Sequence, residues 1–134
     1  MAPFAINGTV WGVVGVRAGD HRLVDRTGVP RLAVTDPETL TVYLRDDLEP
    51  PLLDRVMLHE VAHAVTVSWG LLPLLYSDAA RQGMTGVEEW SAQLVEKHAM
   101  EAVQAASTAL GRPVCVSGLC DCWDGPTPTV VGWS

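Results

Sequence analysis

The sequence predicts an α+β fold in which a small antiparallel sheet packs on a central apolar helix and on a second long helix. Three observations predict it. β-Branched stretches are concentrated before Asp46, a nearly all-round apolar stretch runs from Pro51 to Trp69, and small residues recur at helical spacing between Gly86 and Leu110. With 134 residues, 48% hydrophobic and 19% charged, the chain fits one globular domain over 1–134 and is not of a disordered type. Residues 112–134 form a cysteine-containing C-terminal tail of that domain.

The sheet is read from the N-terminal third. Gly8 to Arg17 is rich in valine and bounded by Asn-Gly and Ala-Gly-Asp, hence a strand, with Gly12 and Gly15 suggesting a bulge or a close backbone approach. His21 to Asp25 reads as a second short strand, Arg26 to Pro30 as a turn, and Leu32 to Thr35 as an edge piece. After the turn Asp36-Pro37-Glu38, Thr39 to Arg45 alternates as a strand should.

The helices follow. Acidic residues and prolines from Asp46 to Pro51 suit the electropositive start of a helix, which runs to Trp69 and stops at Gly70 and Pro73. Leu71 to Leu75 is apolar but too short to span a membrane, and Ser77 to Gly83 has room for a helical turn. In the last helix, Ala92, Val95, Ala99, Ala102, Val103, Ala106 and Leu110 make a small-residue face for close packing on the first helix, with Gly111 and Pro113 as its stop.

Composition narrows the function classes. The net charge is −7, and the nine Lys and Arg residues are scattered, which argues against direct nucleic-acid binding. A start without a basic region or apolar core, and the absence of an apolar run of about 18 residues, lead us to expect a cytoplasmic chain without a membrane anchor. Cys115, Cys120 and Cys122 are odd in number and are expected reduced. Their spacing lacks a clear fourth ligand for a metal site of their own.

Chemistry concentrates on the first helix, where His59-Glu60-Val61-Ala62-His63 spells H-E-x-x-H. Residues four apart share a helix face, so His59 and His63 can offer two imidazoles to one cation, on a polar stripe with Arg55 and Thr66. Glu60 is then placed to exchange a proton with a water rather than to ligate. Zinc with two imidazoles needs a third protein ligand if one position is to stay open. His21 and His98 have no motif around them. Glu88 and Glu89 begin the second helix, where their bland role is to compensate its dipole. Thr85-Gly86-Val87-Glu88 fits a capping box that would occupy Glu88, whereas Glu88 is nearer the centre of the alanine face, so the residues alone leave the pair open.

H-E-V-A-H followed about 25 residues later by E-E-W-S-A-Q resembles the minimal gluzincins, and is most similar to ImmA/IrrE-like metallopeptidases of phages and mobile elements. The resemblance covers about Thr39 to Leu110 and does not include the family's usual continuation after Ala92. It implies a zincin-like fold and, through Glu89-Trp90-Ser91-Ala92 as an E-x-x-A ligand context, a Zn2+ ion held by His59, His63 and Glu89. It further implies a zinc-dependent metallopeptidase with Glu60 as its catalytic base, acting on a protein or peptide substrate. The Thr39 to Arg45 strand would lie along the cleft and pair with the substrate backbone, and Tyr76 is a candidate oxyanion donor. The alternative is a non-catalytic zinc-binding scaffold, a phage structural or assembly protein with a phage or host partner, which would make it virion-associated.

Overall fold

The computed structural model describes residues 1–25, 27–71, 94 and 97–115. Asn7 at φ 50° and Gly8 at φ 76° both adopt left-handed backbone, as a two-residue type I′ turn requires. They join β1 (Phe4–Ile6) to β2 (Thr9–Val16) in antiparallel register, Phe4 opposite Trp11 and Ile6 opposite Thr9. Asn-Gly is thus a hairpin turn and not only the boundary of the 8–17 strand, and β1 precedes it. Gly12 and Gly15 sit in regular register opposite Thr41 and Leu44, and a Cβ at either would make ordinary contacts, so no bulge or close approach explains them.

The next segment departs from expectation. His21–Leu23 is a 3-10 turn instead of a strand, capped by Asp20, whose carboxylate accepts from the Arg22 amide and guanidinium. Val24 keeps a single antiparallel bridge to Pro30 around a loop tied by Asp25, which accepts from the amides of Thr27 and Val29 and from Arg31. β3 (Ala33–Asp36) and β4 (Thr41–Arg45) then form a hairpin. The sheet order is β1-β2-β4-β3, because β3 takes the edge and β4 returns between it and β2. That return makes β2 and β4 parallel. The α+β class therefore stands, with a mixed sheet in which one of its pairings is parallel.

Trp11, Ala33, Val42 and Leu44 form the buried face of this sheet, and α1 (Leu52–Ser68) lays Val56, Met57, Val61, Ala64 and Val65 against it. Burial of such side chains stabilises by about 1.5–3 kcal/mol each. The helix ends as anticipated: Gly70, at φ 63°, donates to the Val67 carbonyl and Leu71 to that of Thr66, a Schellman arrangement. Trp11 also donates through Nε1 to Ser68 Oγ at 2.8 Å, and Asn7 to the Ser68 carbonyl, so the β1–β2 hairpin closes over the helix C-terminus.

Residue 94 and residues 97–110 are helical, and we label 97–110 α2; the part expected from Gly86 to Gln93 lies outside the described residues. Gly111 closes α2 in left-handed conformation, as expected. Of the predicted stripe, Ala106 is in the core and Ala102, Val103 and Leu110 pack against it, joined by Ala105 and Ala109, whereas Ala99 is exposed. Beyond α2, Arg112 forms a bidentate ion pair with Asp54 (Nη1 to Oδ2 2.8 Å, Nη2 to Oδ1 2.5 Å), while the Cys115 amide donates to Asp54 Oδ2. Asp54 is fully buried. This pair ties the first turn of α1 to the chain leaving α2.

Candidate metal centre

Helical geometry brings His59 and His63 together on one turn. Their Nε2 atoms are 3.3 Å apart, with the rings edge to face and centroids 5.0 Å apart. Two nitrogens bound at about 2.0–2.1 Å to a tetrahedral cation stand about 3.3–3.4 Å apart, so the pair already has the spacing of two zinc ligands. The same distance accommodates a long N–H···N bond between neutral rings. His63 is exposed and His59 half-buried, so the pair reaches the surface at one edge.

Glu60, next to His59 in the chain, is buried. The residue is 1% exposed, and its Oε2 accepts from Thr35 Oγ1 at 2.5 Å, with its own carbonyl 3.1 Å from the same hydroxyl. Thr35 lies on β3, so the carboxylate beside the histidine pair is held at the sheet edge that packs on α1. Sequence reasoning missed Thr35. Its signal was a polar residue in register with buried Ala33 on the inward face of β3, where an apolar residue is the default.

The other predicted residues fall elsewhere. Glu88, Glu89, Tyr76, Cys120 and Cys122 lie outside the described residues. Cys115 is exposed at the end of the Asp54 network. His21 projects from the 3-10 turn with its side chain 90% exposed. His98 Nδ1 is 3.3 Å from Glu101 Oε1, which also accepts from Trp69 Nε1 at 2.7 Å, so that histidine belongs to a clasp between the α1 C-terminus and α2. Among the described residues, no three His, Cys, Asp or Glu side chains gather as a metal site.

Comparison with family models, curated proteins and solved structures finds no match.

Two surrounding surfaces complete the picture. A cleft of about 500 Å³ lies along the β3–β4 hairpin and the 3-10 turn, lined by Arg22, Val34, Asp36, Glu38 and Tyr43, with Arg22 5.4 Å over the Tyr43 ring. Val34 and Tyr43 pair on the face of the hairpin opposite buried Ala33, Val42 and Leu44, so this cleft is across the sheet from the histidines. The second is an apolar groove between α1 and α2 lined by Leu58, Ala62, Val65, Ala102 and Val103. No helix among the described residues is long and apolar enough to cross a membrane.

The structure also corrects the substrate strand. The 39–45 segment becomes β4, paired on both sides by β2 and β3, and has no edge to offer. The edge strand on this side is β3. Arg45 donates to Leu32 and the pairs step by two, so Val34 and Asp36 direct their backbone groups to β4. Ala33 and Thr35 direct theirs to the outer edge.

Proposed function

We infer that the chain is a zinc-dependent peptidase. The observation that carries the reading is the tetrahedral spacing of His59 and His63 beside a buried carboxylate, Glu60, held at a sheet edge. His59, His63 and Glu89 would hold the metal, which when bound supplies Lewis acidity to a water and to the scissile carbonyl. Glu60 takes the proton from the attacking water and delivers it to the leaving amine. The outward backbone groups of Ala33 and Thr35 pair with an extended peptide, which sets its carbonyl beside Glu60.

The test compares wild type with Glu60→Gln against a broad peptide library. Glu60→Gln should keep zinc and fold while turnover falls by about 10²-fold or more. Equal cleavage by both proteins removes Glu60 from the chemistry. If neither cleaves and the metal's fourth position proves blocked by the chain, the zinc-binding scaffold replaces the enzyme.

A further inference from the structure

The geometry points to Thr35 as the positioning residue for Glu60: its hydroxyl clamps the carboxylate to β3, so that the proton acceptor and the edge that would receive substrate move as one body. This rests on the reading of Glu60 as the proton acceptor. Three features carry it. The hydroxyl-to-carboxylate bond is 2.5 Å, in the range of charge-assisted O–H···O− bonds, whereas the Glu60 carbonyl is 3.1 Å from the same oxygen, so the single hydroxyl proton goes to the carboxylate. Thr35 is β-branched and on a strand, which restricts its χ1 and makes the hydroxyl a stiff anchor rather than a swinging one. Finally, the Thr35 backbone faces the outer edge while its side chain reaches α1, so one residue touches both the base and the line along which an extended peptide would run. A glutamate has three rotatable bonds, and helix position alone does not determine where its carboxylate rests.

The experiment uses the full chain, zinc-loaded, as wild type, Thr35→Val and Thr35→Ser. Valine is near-isosteric and removes the donor; serine keeps it. A difference infrared spectrum, wild type minus Glu60→Gln, isolates the Glu60 carboxylate stretch without any substrate. Thr35→Val should shift that band and leave zinc content at one per chain, and Thr35→Ser should return the band to its wild-type position. With a peptide cleaved by wild type, Thr35→Val should lower kcat by about 10- to 100-fold with KM within about twofold, and Thr35→Ser should restore most of it. An unmoved band in Thr35→Val overturns the clamp, whatever the activity. A shifted band with unchanged kcat overturns the positioning role while leaving the contact real. Loss of zinc in Thr35→Val would make Thr35 a support of the metal site and also overturn the proposal. If wild type cleaves nothing, or Glu60→Gln cleaves equally well, it is the peptidase reading that fails, and the positioning role falls with it.

Discussion

At the scale of single residues, the histidine pair and the carboxylate between them behave differently although they are neighbours in sequence. His59 and His63 converge because their Cβ atoms lie one helical turn apart, a property of the α-helix itself. Glu60 meets a hydroxyl from another element, that of Thr35, 25 positions earlier. Zinc content should follow the first relation. A His59→Ala, His63→Ala double variant should lose the bound metal, read by elemental analysis of protein purified without added zinc. Glu89→Gln should reduce zinc retention far more than Glu88→Gln, which, if the expected capping box forms, should instead destabilise the fold by about 0.5–2 kcal/mol. The opposite ranking transfers the ligand role to Glu88.

At the scale of elements, turns decide where the site's walls stand. The Asn7-Gly8 turn folds β1 back on β2 and so brings Asn7 and Trp11 over the end of α1. Gly8 has a positive φ and open space around its Cβ position, so alanine there meets no atom and pays only for left-handed backbone. Gly8→Ala should destabilise by about 1–2 kcal/mol, seen as a lower urea midpoint at unchanged m value. An effect near zero would mean that the turn relaxes to another type. The 3-10 turn at His21–Leu23 shows the opposite lesson: the 21–25 segment reads as a short strand, but Asp20 caps the first turn and binds Arg22, which favours local helical closure over pairing.

At the scale of the whole molecule, one ion pair spans the fold. Asp54 begins α1, Arg112 follows α2, and 58 positions separate them. The Arg112 guanidinium holds the Asp54 carboxyl below the usual carboxylate range against the opposing effect of burial. Arg112→Ala strands a buried carboxylate and should cost about 3 kcal/mol at pH 7, the low end for a buried pair because Arg112 is itself 38% exposed. The sign of its pH dependence follows. A carboxyl with a lowered folded pKa contributes stability above the unfolded value, about 4, and loses it as pH falls through the folded value. The gap between wild-type and Arg112→Ala urea midpoints should therefore be wide at pH 7 and narrow at pH 3. A gap independent of pH would assign the pair a packing role only.

What the sequence by itself determined was whatever depends on short spacing: the histidine pair, the helix around it, the Gly70 and Gly111 stops, the strand just before that helix and the α+β class. Each follows from periodicity or from a residue's own backbone preference, which act over a few positions. Only the tertiary structure decided the strand order, the parallel pairing of β2 with β4 that encloses β4 on both sides, and the partners of Glu60 and Asp54. Strand order depends on which chain segment returns between which others, and a hydrogen bond from Thr35 to Glu60 or from Arg112 to Asp54 depends on two elements docking. A polar residue at an inward strand position signals that a partner exists, but no local pattern says which, because a threonine on a strand looks the same whether its hydroxyl meets water or a carboxylate across the core.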